Sequence, residues 1–341
     1  MDNLVSVIIL NYNGKWWLER CLDSLYSQTF RRFEIVFVDN CSTDGSADFV
    51  SERYPDVHII RSDRNLGFSG GNNVGIAAVA GQYILLLNND TWLEPDFLER
   101  MVGFYETHNY DILGPVEADY YTKKPLLYTT LLDLFGHFIY VPKGSTRKEN
   151  FYLSGACLFF SKKYYFETGG FDNQFFMYSE DADWFWRIRL FGGKVFQIED
   201  MRCYHIGAGS TGGGIKYLSF LWRNQNTLQM LLKNYRWYNV LWVLPVYVLQ
   251  NCLEILFFLL LFKPRIAYSY VQGWVFNINH LREIIQKRRL VQRNRRVGDC
   301  AILKQMYLGF GKFTHMVSYI RLLASRDKIG YLDSVNKTQL K

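Results

Sequence analysis

Asn88, Asn89 and Asp90 follow the apolar run Tyr83-Ile-Leu-Leu-Leu87 without a break. Such a run reads as a buried strand, and two amides and an acid at its end would stand at the carboxyl edge of a sheet, where open α/β sheets bind ligands. Hard divalent cations take oxygen ligands, and only one or two of these come from protein when a diphosphate supplies the rest. The triad therefore suits a metal–diphosphate, although taken singly it is also an ordinary turn and helix cap. Three more polar clusters follow apolar runs: Asn11-Tyr-Asn13, Asp39-Asn-Cys-Ser-Thr-Asp44, and Arg64-Asn65-Leu-Gly67-Phe-Ser-Gly70-Gly71-Asn72-Asn73. Four clusters converging on one sheet edge make a site. A carboxylate such as Asp39 can accept a hydrogen bond from the imide N–H of uracil or thymine, and Gly67, Gly70 and Gly71 let backbone amides approach a ligand. These glycines do not form a GxGxxG fingerprint, which argues against a nicotinamide dinucleotide.

The elements that must carry these residues alternate in type. Strands are expected at 5–10, 34–38, 57–60 and 83–87, and helices at 16–27, 46–54 and 72–80; the first helix places Trp17, Leu18, Cys21, Leu22 and Leu25 on its apolar face. This is an α/β pattern with a mostly parallel sheet and helices on both faces. Runs such as Val-Ser-Val-Ile-Ile-Leu lack strict alternation, as strands covered on both faces should. Residues 103–150, with Tyr120-Tyr121, Pro125, Pro142 and Lys143-Gly-Ser-Thr-Arg147-Lys148, break the rhythm and are the expected place for acceptor specificity and a mobile loop.

At 341 residues and 49% hydrophobic, the chain can bury one sizeable core and carry an appendage. Residues 1–215 hold 19 Lys and Arg against 27 Asp and Glu, whereas residues 216–341 hold 20 against 5. Two parts are thus expected, a catalytic domain over 1–215 and a basic, aromatic-rich helical region over 216–341, with the glycines at 212–214 as the seam. The basic part is rich in Trp, Tyr, Leu and Phe, which favours an anionic membrane surface over nucleic acid. Residues 237–262 are long enough to cross a bilayer, yet contain Pro245, Gln250, Asn251 and Glu254, and a single crossing would carry Lys287, Arg288, Arg289, Arg293, Arg295 and Arg296 to the outer side. Helices lying in the cytoplasmic leaflet fit better. Alternatively the stretch packs on the catalytic domain or on a second subunit, which keeps a homo-oligomer open. Six scattered cysteines without a CxxC pair suggest a reduced, cytoplasm-facing protein. A strand starting at residue 5 leaves no room for a secretory leader.

In order along residues 4–215, the segments VSVIILNYNG, VDNCSTDGS, NLGFSGGNNVGI, LLLNNDT, SGACLFFSKK, GGFDNQFFMYSEDADWFWRIRLFG and YHIGAGST resemble a family 2 glycosyltransferase of the GT-A fold. The chain is particularly similar to the bacterial branch that includes rhamnosyltransferases of polysaccharide assembly. The resemblance implies a Rossmann-like nucleotide-diphospho-sugar transferase domain that moves a sugar with inversion from a nucleoside diphosphate donor to a hydroxyl, using Mg²⁺ or Mn²⁺. It places Asn11 and Asp39 at the donor base, Asn65, Gly67 and Asn73 in the donor loop, and Asn88-Asn89-Asp90 at the family's DXD-type motif. Asp90 and His205 would be metal ligands. Asp181 would be the catalytic base, with Glu180 orienting the acceptor or raising the pKa of Asp181 through like charge. Gly170, Asp172 and Trp184 would border the acceptor entrance. Asp183 and Arg187, four residues apart, read as an intrahelical ion pair.

The expected reaction moves L-rhamnose from dTDP-L-rhamnose, or another sugar from a UDP donor, to a polyprenyl-diphosphate-linked glycan at the cytoplasmic face of the inner membrane, where the protein is peripheral or monotopic. A nucleotidyltransferase lacks support, since no Gly-rich, Lys/Arg-bearing triphosphate loop follows the first strand. A catalytically silent membrane scaffold is the other alternative, against which Asp39, Asp90, Asp181 and His205 argue.

Overall fold

The computed structural model describes residues 4–146, 148–207, 217–312 and 317; Arg147 and the glycines expected as a seam lie outside the described residues. In chain order the elements are β1 (Val5–Asn11), α1 (Lys15–Tyr26), β2 (Phe33–Asp39), α2 (Ser46–Arg53), β3 (His58–Arg61), α3 (Gly67–Ala78), β4 (Tyr83–Asn88), β5 (Thr91–Leu93), α4 (Phe97–Thr107) and β6 (Ile112–Asp119). They continue with β7 (Tyr128–Leu132), β8 (Phe138–Pro142), β9 (Cys157–Ser161), α5 (Lys162–Glu167), α6 (Glu180–Leu190) and β10 (Val195–His205). Five helices follow: α7 (Tyr217–Asn234), α8 (Trp237–Leu260), α9 (Pro264–Asn279), α10 (Leu281–Asn294) and α11 (Asp299–Gln305). Two compact units result, one from Met1–Leu127, Leu153–Phe176 and Gly193–Gly212, the other from Tyr128–Tyr152, Met177–Gly192 and Gly213–Lys341.

The first unit is built on an eight-stranded sheet in the order β3-β2-β1-β4-β9-β6-β10-β5. β3, β2, β1 and β4 are mutually parallel, which brings Asn11 level with Asp39 and Leu10 level with Asn88 at one carboxyl edge. β9 runs antiparallel to both β4 and β6, so the sheet is mixed where a mostly parallel one is expected. Apolar residues of β1, β2 and β4 are buried, and α1 lays Leu18, Cys21, Leu22 and Leu25 on that face at helical spacing. Each such leucine stabilises the fold by at most about 1.5–3 kcal/mol. Asp44 sets the loop beyond β2, its Oδ2 accepting from the Lys15 amide and its Oδ1 from the Ser46 amide, at 2.9 and 3.0 Å.

Helix α3 begins five residues before the expected start at Asn72, so the glycine run belongs to the helix and does not form a free loop. A Cβ at Gly71 would collide with the Leu10 side chain, so glycine there lets α3 sit directly on β1. Gly67 has φ +71°, and its missing Cβ would overlap the Phe176 carbonyl.

The second unit holds the β7–β8 hairpin, α6 and the C-terminal helices. The Asp183–Arg187 pair expected within α6 forms, at 3.0 Å, and is joined by Lys233 Nζ at 3.0 Å and Asn234 Nδ2 at 3.1 Å. All four residues are buried, so the carboxylate is fully compensated where no water reaches it. α8 is long and apolar enough to cross a bilayer, and interrupts its own hydrogen-bond ladder at Pro245. Only 28% of its most apolar window is buried within the protein.

Candidate active site

The carboxyl edge of the first unit gathers most of the residues expected at a donor. Asp39 is buried, and its Oδ1 has no hydrogen-bond partner. An unpartnered acceptor shielded from water costs stability unless a ligand supplies a donor, so this oxygen is poised for an N–H. Asn11, expected to line the base pocket, is fully buried; its Nδ2 donates to Ser46 Oγ at 2.8 Å and to Ser42 Oγ at 3.1 Å, and its Oδ1 accepts from Asn89 Nδ2 at 2.6 Å. Asn11 and Asn89 therefore brace the loops from beneath. Asn65 Oδ1 accepts from Asn40 Nδ2 and from the Gly67 amide, both at 2.9 Å, and Asn40 Oδ1 accepts from the Leu66 amide at 2.8 Å. Asn40, which the sequence did not single out, thus shapes the turn into α3.

Asn73 also differs from expectation. Its Nδ2 donates to the Phe171 carbonyl at 3.0 Å and to Asn173 Oδ1 at 2.6 Å, and its Oδ1 accepts from the Tyr165 hydroxyl. Its polar atoms hold the 165–173 segment in place of a donor. Gly170 has φ +50° and leaves room for the Tyr165 ring, while Asp172 Oδ1 accepts from the Gln174 amide at 3.1 Å in a turn. Trp184, expected at the acceptor entrance, is fully buried in the second unit beside Phe185, because its face of α6 turns to the core.

A linear set of polar contacts runs to Asp90. Ser154 Oγ donates to Glu117 Oε1 at 2.6 Å, the same oxygen lies 3.1 Å from His205 Nδ1, and His205 Nε2 lies 3.1 Å from Asp90 Oδ1. Asn88 Nδ2 is 3.4 Å from the same ring nitrogen. Glu117 lies two residues before the end of β6, His205 ends the neighbouring β10, and Asn88 ends β4, with Asp90 in the short turn between β4 and β5. Burial disfavours charge on the His205 ring, but Asp90 and Glu117 outweigh it and hold its pKa well above the usual histidine range. Glu117 was missed in the sequence, although a lone acid near the end of the apolar stretch Ile112-Leu-Gly-Pro-Val is a visible signal.

These residues suit a divalent cation. Two cis ligands of a small octahedral cation stand about 3 Å apart, which is the separation of Asp90 Oδ1 and His205 Nε2. A carboxylate on the other ring nitrogen is the usual outer partner of a metal-bound histidine. Among the described residues no group of three His, Cys, Asp or Glu side chains could hold a metal alone, in keeping with a ligand that brings its own oxygens.

The acid pair lies in the second unit. Glu180 opens α6, is buried, and has no partner for Oε2. Burial and the neighbouring Asp181 push its carboxyl up to about 8, with Arg223 acting in the opposite direction. Asp181 is half-buried, within reach of solvent. The two residues before them, Tyr178 and Ser179, have φ +70° and +66°, a left-handed backbone that side-chain-bearing residues adopt at a cost. Asn226 of α7 clamps this turn, its Nδ2 donating to the carbonyls of Met177 at 3.0 Å and Tyr178 at 2.7 Å.

A parallel β-sheet half that ends in an unpartnered carboxylate and a cation-ready acid–imidazole pair defines a protein of the GT-A nucleotide-diphospho-sugar transferase fold. A mannosyltransferase from Pyrobaculum calidifontis in complex with GDP-Man and Mn²⁺ has this fold and superposes at TM-score 0.50, 18% identical, over 80% of this chain and 86% of its own. Residues 6–167 match the family described as glycosyl transferase family 2, and this part of the chain is a family 2 glycosyltransferase domain. The N-acetylglucosaminyl-diphospho-decaprenol L-rhamnosyltransferase of Mycobacterium tuberculosis is 27% identical over 244 residues, covering 62% of this chain and 79% of that protein. A glycosyltransferase of Streptococcus pneumoniae is 34% identical over 103 residues, 30% of this chain, and the match spans only 15% of that relative's length.

Proposed function

We propose that the protein is an inverting, metal-dependent glycosyltransferase that moves L-rhamnose from dTDP-L-rhamnose to a hydroxyl of a polyprenyl-diphosphate-linked glycan, in the assembly of a cell-surface polysaccharide. The observation that carries this reading is the Ser154–Glu117–His205–Asp90 relay on the same sheet edge as the unpartnered Oδ1 of Asp39. Its similarity to the mycobacterial rhamnosyltransferase favours rhamnose and a lipid diphosphate acceptor. A UDP-sugar is the second reading, favoured by Asp39 itself, because uracil presents the same imide as thymine.

Each residue then has a separate task. Asp39 accepts the imide N–H of the base. Asp90 and His205 hold Mg²⁺ or Mn²⁺, for which His205 gives up its Nε2 proton while Glu117 keeps the Nδ1–H in place. The bound cation would stabilise negative charge on the departing diphosphate. Asp181 accepts the proton of the acceptor hydroxyl as that oxygen attacks the anomeric carbon, and the sugar–phosphate bond breaks on the opposite face. Glu180 is protonated near neutral pH, so it offers the acceptor a hydrogen-bond donor and does not compete for that proton.

The proposed location is the cytoplasmic face of the inner membrane, held by α8, which exposes Leu241, Leu253 and Leu260, and by the turn after it, which exposes Phe262. The test is nucleotide release from a panel of dTDP- and UDP-sugars, with Mg²⁺, Mn²⁺ or chelator and a polyprenyl-diphosphate glycan. Release of dTDP from dTDP-L-rhamnose alone, dependent on metal and acceptor, is expected. Release of UDP selects the second reading, and no donor binding at all would overturn both.

A further inference from the structure

Arg223 is held unusually firmly for a side chain with no hydrogen bond or ion pair among the described residues. Its guanidinium carbon lies 4.3 Å from the centre of the Tyr178 ring and 5.6 Å from that of Phe138. Tyr178 Oη is in turn 3.1 Å from Ser219 Oγ, and Tyr178 packs on Trp222 with ring centroids 6.3 Å apart. Phe138 is braced edge-on by Tyr152 at 5.1 Å. Aromatic faces attract the cation but take up none of its five N–H donors, which remain in one plane and suited to the oxygens of a phosphate. Such a residue is pre-organised for an anion.

Three elements of the second unit combine to build this arrangement. Phe138 comes from the β7–β8 hairpin, Arg223 from α7, and Tyr178 from the left-handed turn clamped by Asn226. That turn places the arginine's platform two residues from Glu180 and three from Asp181. Arg223 is close enough to Glu180 to act on its titration, while burial and the neighbouring Asp181 raise the Glu180 carboxyl.

We propose that Arg223, seated on Tyr178 and Phe138, is the anion-binding residue of the acceptor side and recognises the phosphate that joins the acceptor glycan to its carrier. The assignment rests on the transferase reading above, in which Asp181 of the same unit takes the acceptor proton. A phosphate fixed at Arg223 would set how far along the glycan the reacting hydroxyl falls, so the same contact selects short, phosphate-linked acceptors over long or neutral ones. Donor sugars also carry a diphosphate, and the experiment must separate the two sources.

The test compares full-length wild type, Arg223→Gln and Arg223→Lys in membranes, with initial rates measured against donor concentration and against two acceptors, one diphosphate-linked and one bearing the same glycan on an uncharged alkyl chain. Arg223→Gln should raise KM for the diphosphate acceptor about tenfold or more, leave KM for the neutral acceptor unchanged, and leave calorimetric binding of the nucleoside diphosphate within about twofold; Arg223→Lys should recover part of the loss. Equal losses on both acceptors, or weakened nucleotide binding with acceptor KM unchanged, would overturn the assignment. Wild type that transfers to neither acceptor and binds no nucleotide would instead remove the transferase reading beneath it.

Discussion

Two carboxyl groups adjacent in sequence, Glu180 and Asp181, meet different surroundings, and the difference assigns their roles. In the proposed reaction the half-buried Asp181 is the base, so Asp181→Asn should lower turnover between about a hundredfold and ten-thousandfold while leaving calorimetric nucleotide binding intact. Near-normal transfer by that variant would remove Asp181 from the mechanism. Glu180 instead carries a pH signature in stability. Below about 4.5 both folded and unfolded chains hold its proton; between there and about 8 the unfolded chain releases it and the folded chain does not, so this group's contribution to stability is lost as pH rises across that window. Glu180→Gln should therefore gain unfolding free energy relative to wild type as pH climbs from 5 to 8, by an amount on the order of a few kcal/mol, read from denaturant unfolding, and a pH-independent difference would contradict the burial argument. Glu117 acts through His205. Replacing its carboxylate by an amide should weaken Mn²⁺ binding, followed by titration with nucleotide present, about 10- to 100-fold. Unchanged affinity would mean that His205 is not a ligand.

At the scale of elements, the close approach of α3 to its neighbours is the feature most exposed to a single change. Gly67→Ala would force a side chain into the left-handed region and into the Phe176 carbonyl at once, and should cost about 2–4 kcal/mol, read from denaturant unfolding. A change below about 0.5 kcal/mol would show that the turn relaxes freely. The same helix marks where sequence reading fails. The strands expected at 5–10, 34–38, 57–60 and 83–87 form within a residue or two of those bounds, because continuous apolar runs leave little else for the chain to do. α3 starts earlier than its sequence suggests because a run of glycines reads locally as a breaker, whereas packing of Gly71 on Leu10 outweighs its poor helix propensity. Nothing local to residues 157–161 shows that β9 inserts antiparallel between β4 and β6. At the site, Asp39 and Asp90 are legible as polar ends of apolar strands, whereas His205 is singled out only by the resemblance of its segment YHIGAGST. Asn11 and Asn73 are visible too, but the amide geometry that turns them into braces depends on partners up to about a hundred residues away.

For the whole molecule, the charge imbalance and the exposed apolar helices point in one direction. Residues 216–341 carry 20 basic against 5 acidic groups, and α8, α9 and the turn between them leave Leu241, Ile278 and Phe262 exposed at 74%, 69% and 91%. Either property alone has ordinary explanations, since basic proteins bind many polyanions and exposed leucines bury in many partners. Together they support the proposed seat at an anionic bilayer, where apolar side chains would enter the acyl boundary while Arg282, Arg289 and Arg293 on α10 would meet headgroups. Two components with different salt dependence make this testable. The protein should sediment with vesicles containing a third phosphatidylglycerol and hardly at all with neutral vesicles. Raising salt from 0.1 to 0.5 M should weaken binding without abolishing it, because screening removes the electrostatic share and leaves the apolar one. Replacing Leu253 and Leu260 by glutamate should lower vesicle affinity at least about tenfold, since burial of each leucine is worth about 1.5–3 kcal/mol, with the circular dichroism spectrum unchanged. If that variant binds as wild type does while salt alone releases the protein, α8 is not the membrane-facing element, and the basic helices hold the protein on their own.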